Sequence, residues 1–136
     1  MIRDIRERTF EFAVMTIRFS ESLPSTTNSA IVIKQLVRSS SSIGANVEEA
    51  SAASSKADFA YKMGIALREG RETLYWLRII RAVYSVTVSN IDPLISEADQ
   101  ITRILGAIVS SARGKRKRLG SMFSFFLFHF SFFIFH

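Results

Sequence analysis

Residues 31–50 read IVIKQLVRSSSSIGANVEEA, and their apolar members recur at the spacing of an α-helix. At 100° per residue, counted from Ile31, the apolar side chains gather within an arc of roughly 100° to 160°. Lys34 and Arg38 fall on the opposite side. The pattern predicts an amphipathic helix of about 25 residues that begins near Thr26 to Asn28, where side-chain oxygens can cap it. Its apolar face consists of Val32, Leu36, Ile43, Val47 and Ala50.

The same periodicity predicts three further helices, one before this segment and two after it. A helix is expected to follow Ser55, because Asp58 stands three residues later in a capping-box-like arrangement. The last helix is expected to begin with Asp92 as its N-cap and Pro93 as its first residue, the order that these residue types favour. The predicted helices are residues 2–22, about 26–50, 55–86 and 92–112.

The segment from Val83 to Val88 is β-branched and alternating, which by propensity would suit a strand. Nothing else in the sequence would pair with it, so it is interpreted as a frayed helix end that leads into a loop. We therefore predict an all-α protein, an antiparallel up-down four-helix bundle over residues 1–114. The chain of 136 residues has room for one such domain.

The composition removes many classes of enzyme. The chain has no Cys, and its two His are His129 and His136, so the first 128 residues lack the commonest general base and metal ligand. The glycines within the predicted helices are isolated, which excludes a phosphate-binding loop. The serine run at 39–42 has no nucleophile-elbow pattern. We expect no enzymatic activity, no cofactor, no metal site and no small-molecule substrate.

Positive charge is unevenly distributed along the chain. Lys and Arg total 18 against 12 acids, a net charge of +6, but four of these cations are consecutive at 115–118. Subtracting those four leaves 14 against 12, or +2, for the rest. Within the third predicted helix, four arginines fall inside an arc of about 140° and form a candidate nucleic-acid-binding face. They are Arg68, Arg71, Arg78 and Arg81, and Lys34 and Arg38 form a second, smaller basic group.

The alternative interpretation of this face is a solvated helix surface balanced by acids, since Glu72 stands four residues after Arg68 and an i,i+4 ion pair is available. Glu69 falls inside the apolar sector, which predicts a partner cation from a neighbouring helix or subunit. For Glu48 and Glu49, pairing with another helix or subunit is favoured over a carboxylate site.

Two aromatic residues, Tyr75 and Trp76, follow the arginine face and have side chains on which nucleic-acid bases can stack. The spacing of Trp76 beside Leu77 and Ile80 instead favours a place in the core or at a subunit interface.

Three segments carry a family resemblance: KQLVRS at 34–39 running into SIGANVEEA at 42–50, SKADF at 55–59, and ALREGRETLYWL at 66–77. Over roughly residues 5–114 the chain resembles the four-helix-bundle proteins encoded within intervening sequences of bacterial 23S ribosomal RNA genes. It is similar also to the accessory variability protein of diversity-generating retroelements. Gly70 departs from the pattern, which more often has Ala there.

The resemblance implies a homopentamer with a basic surface. The retroelement relatives bind nucleic acid and work with a reverse transcriptase, whereas no enzymatic activity is established for the ribosomal-insert relatives. Our first hypothesis is a non-enzymatic oligomer that binds RNA or DNA non-specifically through basic helix faces. The alternative is a protein-interaction scaffold or accessory subunit for a reverse transcriptase or another acidic partner.

The tail at 115–136 consists of KRKR followed by 18 residues, of which twelve are Phe, Leu, Ile or Met. We favour a frameshift or read-through product of a pyrimidine-rich tract over a C-terminal membrane anchor and over an aromatic patch for a partner. A membrane is therefore a partner only if the tail is genuine. Charged residues at positions 3–8 interrupt any apolar signal segment, and a cytoplasmic location is expected.

Overall fold

A computed structural model describes residues 2–85 and 88–114, and all regular secondary structure in these two ranges is α-helical. The all-α prediction is confirmed. The helices are α1 (Ile2–Ser20), α2 (Thr27–Ser51), α3 (Lys56–Val83) and α4 (Val88–Ala112). The interpretations of the tail at 115–136 lie outside the described residues. None of the described helices is both long and apolar enough to cross a membrane.

Side-chain caps fix the starts of α2 and α3 where the sequence predicts them. The Thr26 hydroxyl accepts the Ser29 N–H at 3.1 Å, and the Ser29 hydroxyl oxygen accepts the Thr26 N–H at 2.8 Å. This reciprocal pair satisfies two N–H groups that a helix start would otherwise leave free. The Ser55 hydroxyl likewise accepts the Asp58 N–H, at 3.0 Å. Local sequence signals alone therefore place both helix starts.

The predicted start of α4 at Asp92 and Pro93 is wrong, because the helix begins earlier, at Val88. The additional turn carries Ile91 into the core, where it is fully buried, and that burial outweighs the one helical hydrogen bond that Pro93 cannot donate. Asp92 does not cap the helix and instead lies 3.3 Å from Arg81 of α3.

The four helices contact one another in a ring. In the described residues α1 packs against α2 and α4, and α3 packs against the same two helices, so α1 and α3 lie across a diagonal. Consecutive helices run antiparallel. Arg6 near the start of α1 pairs with Glu48 near the end of α2, Glu49 pairs with Lys62 near the start of α3, and Arg81 near the end of α3 pairs with Asp92 near the start of α4. The arrangement agrees with the predicted up-down bundle. The largest fully buried side chains are Phe12, Ile5, Leu36, Ile43, Met63, Leu77, Ile80, Ile91, Ile101 and Leu105.

Gly70 marks a close approach of α3 to α4. A Cβ added to this buried glycine would lie 2.6 Å from the Thr102 hydroxyl oxygen, which is closer than two such atoms can pack. Gly replaces the more usual Ala here because the β-branched side chain of Thr102, on the facing helix, occupies the space that the methyl group of Ala would need. The sequence shows the departure but not the neighbour that explains it.

Candidate nucleic-acid interface

Three of the predicted arginines, Arg68, Arg71 and Arg78, lie on the outward face of α3. All three are exposed, and none of them makes an ion pair with any described residue. Their spacings of three and seven residues bring them onto the same side of the helix. We call Arg68, Arg71 and Arg78 the arginine face.

Arg68 has no ion-pair partner among the described residues, because Glu72 is bound by a cation from another helix. The Nη2 atom of Arg38, on α2, lies 2.5 Å from Glu72 Oε2, and its Nη1 atom lies 3.3 Å from Glu69 Oε2. The predicted cation partner for Glu69 is thus confirmed as a residue of the neighbouring helix. The i,i+4 pair between Arg68 and Glu72 does not form. Glu69 and Glu72 thus turn toward α2, and no described acid forms an ion pair with the arginine face.

The pKa values of Glu69 and Glu72 are shifted in opposite directions. Burial raises the pKa of Glu69, the negative charge of Glu72 adds to that rise, and Arg38 opposes it. Burial also pushes the pKa of Glu72 upward, but hydrogen bonds from Arg38 and Trp76 outweigh burial and hold this pKa below the ordinary value. The hydrogen bond to Glu72 raises the pKa of Arg38. Because an arginine stays charged throughout the physiological pH range, Arg38 is a permanently charged link between α2 and the two acids of α3.

The remaining predicted cations are not part of the arginine face. Arg81 lies 3.3 Å from Asp92 and so connects α3 to α4. Lys34 is exposed on α2 and forms no ion pair with a described residue. With respect to the described residues, the six predicted cations thus separate into three unpaired arginines on α3, two cations engaged between helices, and one unpaired lysine on α2.

The two neighbouring aromatic residues, Tyr75 and Trp76, differ in their exposure to solvent. Tyr75 is 55% exposed and stands on the arginine face, four residues after Arg71 and three before Arg78. Trp76 is half-buried and packs against the hydrophobic core, as its spacing predicts. Its Nε1–H donates to Glu72 Oε1 at 3.3 Å, and its ring meets that of Tyr75 edge-on, with centroids 5.2 Å apart.

The other acidic residues with a predicted role are engaged in structural pairs. Glu48 lies 2.7 Å from Arg6 of α1, and Glu49 lies 2.6 Å from Lys62 of α3. Pairing of both with neighbouring helices is therefore confirmed. In the two described ranges, no three metal-ligating side chains come together in a way that would hold an ion.

Comparison with known proteins shows similarity to one protein family and to solved structures. A family described as 23S rRNA-intervening sequence protein matches residues 3–107. A crystal structure of a protein of unknown function from the S23 ribosomal protein family of Bacteroides thetaiotaomicron is 32% identical, with a TM-score of 0.73. The similarity covers 79% of this chain and 96% of the other. No match was found among curated proteins.

Proposed function

The chain belongs to the 23S rRNA-intervening sequence protein family. We propose that this protein binds RNA or DNA non-specifically through the outward surface of α3. One observation carries this proposal: Arg68, Arg71 and Arg78 are exposed on one face with no compensating acid in the described residues. Arginines of this kind neutralise phosphates and release condensed counterions, which provides affinity without base readout. The mechanism is binding, with no chemical step.

Assembly of several copies of the chain would bring several copies of the arginine face together in one particle. Phe10 and Ile17 stand seven residues apart on one side of α1 and are 67% and 41% exposed, although both are large and apolar. Apolar side chains exposed together on a helix indicate a contact surface. We propose that a second copy of the chain covers them, within the homopentamer that the family resemblance implies. Since α1 lies diagonally across from α3, such an interface leaves the arginine face open in every subunit.

Charge reversal on the arginine face tests the proposal. The full-length chain with Arg71→Glu and Arg78→Glu should bind a fluorescent oligonucleotide at least about tenfold more weakly at low salt, because two phosphate contacts become repulsive. The control is Lys56→Glu with Arg113→Glu, which makes the same charge change at two exposed residues that form no ion pair with a described residue and lie outside the arginine face. Unaltered binding by the arginine-face variant, or an equal loss in both variants, contradicts the assignment.

The basic run at 115–118 requires its own control, because it can bind phosphate independently of α3. Each variant is therefore compared in a second background in which these four cations are replaced by glutamine. The α3 proposal expects the effect of Arg71→Glu and Arg78→Glu to persist in that background.

The same three arginines also complement an acidic protein surface, which supports the second candidate, an accessory subunit for a reverse transcriptase or another acidic partner. Nuclease treatment of a complex isolated with the full-length chain separates the two functions. A complex that disperses is held together by nucleic acid, whereas one that survives and retains a protein partner supports the accessory function.

A further inference from the structure

We infer that the arginine face binds a single strand, with one base stacked on Tyr75 and the flanking phosphates on Arg71 and Arg78. This inference rests on the proposed function and narrows it from nucleic acid in general to unpaired strands of RNA or DNA. Tyr75 carries the argument, because phosphate neutralisation alone gives no role to an exposed aromatic ring between two arginines that form no ion pair with a described residue.

The spacing of the three side chains suits alternating phosphate and base contacts. Along the axis of α3, Arg71 and Tyr75 are about 6 Å apart, and Tyr75 and Arg78 about 4.5 Å. At 100° per residue all three lie within an arc of about 60°. Proteins that bind single strands combine such a cationic track with aromatic rings on which bases stack. In a duplex the base faces are already stacked on each other, so Tyr75 has nothing to bind there.

The ring of Tyr75 is supported before any ligand binds. It rests on the edge of Trp76, at an interplanar angle of 68°. Trp76 is in turn held by the core and by its hydrogen bond to Glu72, which Arg38 clamps from α2. A ring that is already oriented loses little rotamer freedom on binding. Arg38, Glu72 and Trp76 are therefore positioning residues for the stacking platform.

A single strand suits this surface better than a protein does. Arg and Tyr are also enriched in protein interfaces, but the core of such an interface is more apolar than the surface around it, whereas Tyr75 stands as one exposed ring between Arg71 and Arg78. A polyanion that carries planar bases satisfies the cations and the ring together.

The test compares strands with and without bases. Fluorescence anisotropy of the full-length chain would use labelled oligothymidylate and oligouridylate of about twelve nucleotides, within the range of known single-strand sites. A duplex of equal length and an abasic strand of equal charge serve as references. Tyr75→Ala should weaken binding of both base-bearing strands about tenfold and leave abasic and duplex binding unchanged. Tyr75→Phe should retain the wild-type affinity, since the stacking face is preserved.

Two further measurements test whether the loss of affinity is specific to Tyr75. Tyr61→Ala removes an exposed tyrosine of the same helix that no unpaired arginine flanks within one turn, and it should change affinity by less than about twofold. Trp76 is the only tryptophan of the chain, so quenching of its emission by oligothymidylate, but not by the abasic strand, would show that a base lies beside it.

The outcomes separate the two proposals. If Tyr75→Ala binds every probe as the wild type does, the stacking inference is wrong, and nucleic-acid binding through the arginine face stands or falls on the charge-reversal variants. If the wild type binds no probe at low salt, both are wrong. If Tyr75→Ala weakens abasic and base-bearing strands equally, the ring acts on the shape of the surface and not by stacking.

Discussion

The Nη2 atom of Arg38 lies 2.5 Å from the Oε2 atom of Glu72, across the interface between α2 and α3. This contact determines the charge pattern of the surface, because it withdraws Glu72 from Arg68, the cation one turn earlier on its own helix. The same guanidinium reaches Glu69. One arginine thus pairs with two acids of α3, and the three outward-facing arginines form no ion pair with a described residue.

Neutralising the two acids should change stability in opposite directions. Burial raises the pKa of Glu69, so its ionised form opposes folding at neutral pH. As pH falls, the folded state takes up this proton before the unfolded state does, and wild-type stability rises through that window. Glu69→Gln removes this buried charge and with it the unfavourable contribution to the free energy of folding. We expect it to be more stable than the wild type at pH 7 by less than about 1 kcal/mol, with the difference shrinking toward pH 4.5, the ordinary value.

Glu72→Gln is the matched comparison. The pKa of Glu72 is lowered, so its stabilisation is present above the pKa of the unfolded chain and is lost as pH falls through the folded value. This variant should be less stable at pH 7 by less than about 1 kcal/mol and equal to the wild type in acid. Urea unfolding at several pH values measures both variants. Equal losses at pH 7 would show that Glu69 is stabilised by Arg38 more than it is opposed by burial.

Gly70 is expected to resist the substitution that helix propensity favours. Gly70→Ala gains about 1 kcal/mol of propensity, but its methyl group would lie 2.6 Å from the Thr102 hydroxyl oxygen, and overpacking costs about 1–3 kcal/mol. We expect a net loss of about 1 kcal/mol by thermal or urea unfolding. With Thr102→Ala in the same chain, Gly70→Ala should become neutral or stabilising, which is the coupling that a double-mutant cycle measures.

Gly106 provides the control for Gly70. Among the described residues a Cβ there meets only the Leu67 side chain, at an ordinary contact distance of 3.9 Å, so Gly106→Ala should stabilise the fold by up to about 1 kcal/mol. If both alanine variants are stabilised alike, the close approach of α3 to α4 at Gly70 is not a constraint.

Sequence reasoning succeeded where the determinant is local. The starts of α2 and α3 follow from Thr26 and Ser55, whose caps involve residues three positions away. It failed at Asp92, because the gain from burying Ile91 comes from other helices. In the site, periodicity found the arginines and indicated a cation for Glu69. The cation is Arg38, and the same residue draws Glu72 away from Arg68. Both contacts depend on how α2 and α3 align, and the periodicity of one helix carries no information on that alignment.

The α1 surface should control assembly. Light scattering during size-exclusion chromatography should give the full-length wild type a mass near that of five protomers. Phe10→Ser with Ile17→Ser should lower this mass while preserving helicity, because both side chains are exposed within the single chain. Tyr61→Ser, an exposed aromatic on α3, is the control and should leave the mass unchanged. A wild-type monomer, or a variant that keeps the wild-type mass, excludes an interface at α1.

The salt dependence of binding should distinguish Arg71 from Arg38, although both are predicted nucleic-acid contacts. Each phosphate neutralised on a single strand contributes about 0.7 to the slope of log affinity against log salt concentration. Arg71→Gln should therefore reduce the slope by about 0.7. Arg38→Gln should leave the slope unchanged, since its guanidinium is engaged by Glu69 and Glu72, and should instead lower stability and alter the emission of Trp76. A reduced slope in the Arg38 variant would mean that Arg38 leaves its carboxylates to contact phosphate.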